Sequence, residues 1–471
     1  MEPRMKFDDA AWERSDAIFD AWKTKLYEED TMRGIGNLIK KHRGGVPKEL
    51  FAPQRGAFNV TVRMEFGDGG SAIMRTPCPG VHIFPEEKTR NEVAAMRYIA
   101  DNTTIPIPFV LHHGTAEESP GQLGPFIIME YVKDAQTLSD VLNLPGLSPQ
   151  DRPMLDPGID EQKLAFIYEQ IADILLQLSA LRFDRIGAPL EVEPEIGNVR
   201  HRPLTWDMNE LVQLANCPPS ELIATHFDTA TSYYSAIADM KIMHLDKQRN
   251  DAIESAEDCR RKYIGRHLFK KLASEQRLHD PEFEKGPFRL WCDDFRPGNI
   301  LVDKDCRILS VIDWEFTYVA PASYTQNPPW WLLLEMPEYW FRGFEDWCKV
   351  YQPRLETFLR VLYQREQTAI LRGKLEPQNT LSENMRENWE NGQFWIDYAV
   401  RRSWAFDAVF WTFIDKKFFG GNGKGDQYEE RLWLLNDEAQ KHIEAFTFKK
   451  VEDSRTRVLE EHGESETVSL P

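Results

Sequence analysis

The chain opens on helical spacing. In WERSDAIFDAWKTKLYEE the apolar residues Trp12, Ile18, Phe19 and Trp22 gather on one helical face. GGVPKELFAPQRG, from Gly44, is punctuated by Gly and Pro and reads as an entry loop. From residue 56 the period changes to two. FNVTVRMEF (58–66) alternates apolar and polar residues, GDGG (67–70) is a turn signal, and SAIMRTP (71–77) is a second strand, which together predict a hairpin. KTRNEVAAMRYIAD (88–101) returns to helical spacing through Val93, Met96 and Ala100, and IPIPFVLHHG (105–114) and GPFIIMEYV (124–132) read as two further strands. Strand, strand, helix, strand, strand predicts a small twisted antiparallel sheet with one helix packed on it.

Beyond residue 133 the pattern is mostly helical. KLAFIYEQIADILLQLSAL (163–181) is amphipathic, with apolar residues at 164, 167, 171, 174, 175, 178 and 181, and 206–275 is rich in helix formers. A β-rich interlude follows: FRLWCDD (288–294), NILVD (299–303) and ILSVIDW (308–314). Helical texture then runs to about residue 447, and the polar tail from 451 reads as disordered. The predicted organisation is a helical extension over 1–50, a sheet lobe over 51–132 and a helical lobe over 133–450. That lobe carries a helical insertion at 188–285 and a catalytic hairpin at 288–316, and a disordered tail covers 451–471.

Charge narrows the partners. Among 471 residues, 57 are basic and 76 acidic, a net charge of −19, with no local basic stripe, so a nucleic-acid partner is not expected. An acidic surface can attract cationic molecules, but solubility is a sufficient reason for it. No apolar run reaches the length of a membrane span, and the acidic N-terminus lacks an apolar signal core, which points to a cytoplasmic protein. The six cysteines, at 78, 217, 259, 292, 306 and 348, form no CxxC pair and read as reduced thiols.

The densest chemistry lies in LWCDDFRPGNILVDKDCRILSVIDWEF (290–316). Asp294 is followed five residues on by Asn299 and fourteen further on by Asp313. An Asp–turn–Asn loop alone is common on protein surfaces. The apolar strands between these residues and the IDW downstream bring three side-chain oxygen groups to one mouth. Phosphoryl transfer needs such a set: a carboxylate for the acceptor's hydroxyl proton, and an amide oxygen and a second carboxylate for magnesium. Upstream, Arg75 ends the second strand and Glu92 stands near the start of the next helix. Arginine is permanently charged and forks onto phosphate oxygens.

CDDFRPGN resembles the HGDxxxxN catalytic loop of aminoglycoside phosphotransferase and choline-kinase-like proteins, and IDW resembles their magnesium-binding motif. The likeness covers roughly residues 50–320. It implies an α+β, bilobal, protein-kinase-like fold with a small antiparallel-sheet N-lobe and a large, mainly helical C-lobe. It also implies an ATP-dependent phosphotransferase using Mg2+ and acting on a hydroxyl of a small molecule. By the same resemblance Asp294 is the catalytic base, and Asn299 and Asp313 are metal ligands. Arg75 and Glu92 are the phosphate-binding pair, RGAFN (55–59) with Gly56, Phe58 and Asn59 is the loop over the phosphates, and Met129–Val132 with Glu130 and Val132 is the adenine-binding hinge. Trp330, Trp331 and Tyr339 are candidates for the acceptor pocket. The chain departs from the pattern at Cys292 and Asp293, which replace histidine and glycine, and at APASY (320–324), where an acidic motif is usual. The alternative is a catalytically inactive pseudokinase that keeps the fold as a binding module. The sequence is silent on oligomeric state and on the acceptor.

Overall fold

The computed structural model describes residues 2–148, 150–192 and 195–460. Helix α1 (Asp9–Leu26) starts where the Asp8 carboxylate accepts from the Ala10 and Ala11 N–H groups, and α2 (Glu29–Arg43) ends on four basic residues that complement its C-terminal dipole. The stretch after Gly44 differs from the expected loop. It contains β1 (Pro47–Leu50) and β2 (Gln54–Arg55), both antiparallel to β3 (Asn59–Phe66), so the sheet begins before residue 51. Strand pairing satisfies backbone groups whatever the side-chain pattern, so these short partners carry no periodicity to read.

Strand β4 (Ser71–Pro77) runs in register with β3 from Asn59↔Pro77 to Glu65↔Ser71. The turn between them uses a left-handed Gly69. Helix α3 (Pro85–Asn102) has proline in its first turn, where the missing N–H costs nothing, and buries Val93, Met96 and Ile99. Strands β5 (Val110–Gly114) and β6 (Phe126–Glu130) complete a sheet of order β1-β3-β4-β6-β5, with β4 central. Residues 105–109 lie outside β5, because Pro106 and Pro108 have no N–H to give a ladder. Alternation along β6 divides its side chains between two cores. Phe126 and Ile128 pack with residues of α1 and α2, while Ile127 and Met129 join the main core.

The rest of the chain is mainly helical. Strand β7 (Gln136–Thr137) and α4 (Leu138–Leu142) precede α5 (Glu161–Ala180), which Asp160 caps and which packs against α10 (Gly343–Leu371). Strand β8 (Arg182–Phe183) follows α5. The segment expected to be a helical insertion opens instead with a hairpin, β9 (Ala188–Val192) and β10 (Glu195–His201). It then becomes helical through α6 (Trp206–Ala215), α7 (Ala230–Lys247) and α8 (Ala256–Ser274).

Residues 288–316 do not form one hairpin. Strand β11 (Phe288–Cys292) pairs with β14 (Thr317–Ala320) and β8, while β12 (Ile300–Val302) pairs with β13 (Ile308–Val311) and β7. The loop 293–299 therefore crosses from one small sheet to another, and both ends are anchored. Helices α9 (Ala322–Thr325), α11 (Ser382–Asn391), α12 (Gln393–Arg401), α13 (Phe406–Val409), α14 (Asp415–Phe419) and α15 (Asp437–Asp453) fill out the lobe with α10. Part of the expected disordered tail is ordered. Beyond α15, Arg457 pairs with Asp9 and Glu13 at 2.9 and 2.8 Å, and the Val458 N–H donates to Asn250. Residues 461–471 lie outside the described residues. Among the described residues no helix is long and apolar enough to cross a membrane.

Candidate active site

The loop that leaves β11 holds Asp294 by its side chain. Arg296 Nε donates to Asp294 Oδ1 at 2.7 Å, and Asn299 Nδ2 donates to Asp294 Oδ2 at 2.7 Å and to the Asp294 carbonyl at 2.9 Å. Asn299 thus commits its amide nitrogen to Asp294, and its Oδ1 meets no protein donor among the described residues. The Asn299 carbonyl accepts from the Ile312 N–H at 2.9 Å, which brings the end of β13 and Asp313 alongside. Asp313 lies in the left-handed region, φ 56°, which aspartate tolerates better than most residues.

The sheet lobe faces this loop with Arg75. From the centre of β4 its guanidinium donates to Glu92 on α3 and to Asp313. One turn before Glu92, Lys88 lies on the same buried face. Lys88 Nζ reaches Glu92 Oε2 at 3.0 Å, Glu315 Oε2 at 2.6 Å and Asn59 Oδ1 at 3.1 Å. Asn59 Nδ2 in turn donates to Glu315 at 3.0 Å. Sequence reasoning missed Lys88. Its signal was a lysine four residues before a glutamate on the apolar face of a predicted helix, where an unpaired charge is costly.

The carboxylates divide by environment. Burial raises the Asp294 carboxyl against the pull of Arg296, and burial lifts Asp313 to about 6 despite Arg75. Burial also opposes charge on Glu315, but Lys88 outweighs it and holds that carboxyl well below its usual range. Burial pushes the His82 imidazole below its usual value although Glu315 lies 3.5 Å away and pulls the other way. Around the cleft, Glu92, Asp294, Asp313 and Glu315 outnumber Arg75, Lys88 and Arg296. Asp313 is the most open of the four acids, its side chain 29% exposed. A divalent ion fits this donor set: a spare amide oxygen on Asn299, a half-open carboxylate on Asp313 and an excess of one negative charge. Among the described residues no cluster of three or more acidic, His or Cys ligands forms a full cage. Magnesium bound through one or two protein oxygens and its substrate's phosphates needs none.

Other sequence-predicted residues are placed as follows. Gly56 turns the chain between β2 and β3, its N–H donating to the Asn59 carbonyl at 2.8 Å, and a Cβ there would meet only ordinary contacts. The Phe58 ring packs edge-on against Trp206 and near Phe316, and Asn59 points inward to Lys88 and Glu315. Glu130 ends β6 on the surface, its N–H donating to the Phe109 carbonyl, and Val132 follows two residues on. The Cys292 thiol is buried, which raises its pKa well above the usual range and leaves it inert. Trp330 and Trp331 are buried against a cavity of about 40 Å³ behind the 293–299 loop, room for a few waters. Tyr339 is flanked by the guanidinium groups of Arg152 at 3.4 Å and Arg4 at 5.0 Å.

A sheet lobe presenting an arginine–glutamate pair to a loop with Asp294, Asn299 and Asp313 is the layout of a kinase-like protein. More particularly, the chain belongs to the phosphotransferase enzyme family, whose model matches residues 52–325. No curated protein matches it. Among solved structures it is similar to a macrolide 2'-phosphotransferase type I, at 11% identity over 87% of this chain and 94% of that one, with a TM-score of 0.40. It is also similar to an ethanolamine kinase of Plasmodium vivax, at 11% identity, 87% and 84% coverage and a TM-score of 0.39. An amicoumacin kinase in complex with AMP-PNP, Ca2+ and Ami stands at 12% identity, 92% and 95% coverage and a TM-score of 0.40. Likenesses this distant carry no argument about what the chain acts on.

Proposed function

We propose that this chain transfers the γ-phosphoryl group of ATP to a hydroxyl of a small molecule. The observation that carries the reading is the link from Glu92 through Arg75 to Asp313, which joins the sheet lobe to the catalytic segment beside Asp294. Asp294, fixed by Arg296 and Asn299, orients the acceptor hydroxyl and takes its proton. Asn299 Oδ1 and Asp313 are the residues to hold magnesium, which supplies charge neutralisation at the phosphates. Arg75 offsets phosphate charge from the other side, with Glu92 setting its direction. The turn at 55–58 covers the phosphates through its backbone, since the Phe58 and Asn59 side chains are engaged elsewhere, and the Glu130–Val132 backbone receives adenine. Catalysis of this kind is chiefly positioning and electrostatics.

The test is Asp294→Asn, assayed by ADP release from magnesium–ATP over a library of small hydroxyl compounds. Turnover should fall by about 10²–10⁴-fold, the usual worth of a positioned base, while magnesium–ATP still raises the melting temperature. Full transfer by the variant would overturn the assignment of Asp294. Absence of any shift with magnesium–ATP in the wild type would favour the pseudokinase reading.

A further inference from the structure

Asp293 stands next to the proposed base and is buried. It is 5% exposed, and its carboxylate joins three elements. Oδ2 accepts from the backbone N–H of Trp206, the first residue of α6, at 3.1 Å. Oδ1 accepts from Trp291 Nε1 of β11 at 2.8 Å and from the Tyr318 hydroxyl of β14 at 3.3 Å. Trp291 and Tyr318 face each other across the β11–β14 ladder, so both donors are fixed by the same strand pair.

Two consecutive arginines complete the surroundings. The Arg401 guanidinium lies 4.6 Å from the Trp291 ring, and that of Arg402 lies 4.4 Å from the Trp206 ring. Two of the three donor residues, Trp291 and Trp206, are therefore covered by a cation at the end of α12. Neither arginine forms a direct ion pair with Asp293, but both draw its carboxyl down against the burial that raises it. A buried carboxylate without such compensation costs several kcal/mol. Its neighbour Cys292 offers only weak thiol contacts, 3.5 Å to the Glu315 carbonyl and 4.0 Å to the Asp313 carbonyl. All three donors to the Asp293 carboxylate are protein groups, two on Oδ1 and one on Oδ2.

We infer that Asp293 is a positioning residue, whose carboxylate clamps the start of the catalytic loop to α6 and to the β11–β14 pair and so sets the direction of Asp294. The inference rests on the phosphotransfer reading only for its effect on turnover. Arg296 and Asn299 orient the Asp294 carboxylate from the far end of the loop; Asp293 fixes the near end. Loss of the clamp lets the base swing while the magnesium–ATP contacts at Asp313 and Arg75 stay in place, and misplacement of a reacting group by about 1 Å costs about 10²-fold.

The experiment compares Asp293→Asn and Asp293→Gly by steady-state ADP release and by hydrogen–deuterium exchange over residues 292–299. Asp293→Gly is expected to lower kcat about 10²-fold with the KM for ATP and the magnesium–ATP thermal shift unchanged, and to speed exchange in the loop. Asp293→Asn keeps one acceptor oxygen, enough for one side of the clamp, and is expected to fall between wild type and Asp293→Gly in both turnover and protection. A glycine variant with wild-type turnover and wild-type loop protection would overturn the inference, as would equal losses in kcat and in ATP affinity. If the wild type turns over no acceptor at all, the phosphotransfer reading fails by itself, and the exchange comparison still decides whether Asp293 holds the loop.

Discussion

Arg75 and Asp313 stand 238 positions apart and share one ion pair, with Arg75 Nη1 donating to Asp313 Oδ1. The pair joins the central strand of the sheet lobe to the end of β13, and Glu92 engages the other arm of the same guanidinium. Both lobes thus contribute to one electrostatic unit.

That unit predicts how Arg75 responds to substitution. Arg75→Lys keeps a charge but cannot fork to two carboxylates, and kcat/KM for ATP should fall about 10–10²-fold. Arg75→Met removes the cation between buried Glu92 and part-buried Asp313, and unfolding in urea should show a loss of roughly 3 kcal/mol. Steady-state kinetics with varied ATP and a urea midpoint check the two outcomes.

Lys88 should matter to stability as much as any core residue. It is 2% exposed and holds Glu92 of α3, Asn59 of β3 and Glu315 of the turn after β13 together. Lys88→Met should cost roughly 3–5 kcal/mol by leaving buried carboxylates uncompensated. Adding Glu315→Gln should restore part of that loss, so the double variant is more stable than additivity allows. Chemical denaturation of the four proteins measures the coupling.

Asp313→Ala tests the metal assignment. Wild-type protein with magnesium–ATP at a hundredfold its Kd should gain about 2.7 kcal/mol. The variant should lose the magnesium-dependent part of that gain and keep whatever ATP gives in chelator. Thermal shifts with ATP, with and without magnesium, separate the two.

Glu210 gives a pH signature away from the cleft. Burial lifts its carboxyl from 4.5 to about 7, against the pull of Arg402, although its indole partner Trp404 donates to it at 3.0 Å. The folded state therefore favours the protonated form. The associated stability is fully present below pH 4.5 and is lost as the pH rises through 7. Because the residue is only half-buried, the span amounts to roughly 2 kcal/mol after solvent screening. Glu210→Gln should flatten that part of the stability profile between pH 4.5 and 7.5, read as the difference from wild type.

Much of this protein was determined by its sequence alone. Alternation in 58–66 and 71–77 specified β3 and β4, helical spacing specified α3 and α5, and the run from Asp294 to Asp313 marked the candidate catalytic segment, because these signals are local. Tertiary structure decided the partners. Nothing near Lys88 announces Glu315, more than two hundred residues away, and nothing near Asp293 announces Trp206 or Arg402. Strands β11 and β12 look like the arms of a hairpin from their spacing, yet each pairs elsewhere. The polar stretch after α15 looks free, yet Arg457 ties it to α1. Periodicity reports which face of an element is apolar. Which buried charge meets which, and which strand edge finds a mate, depends on the whole chain closing on itself, where an unpaired polar group is too costly to leave.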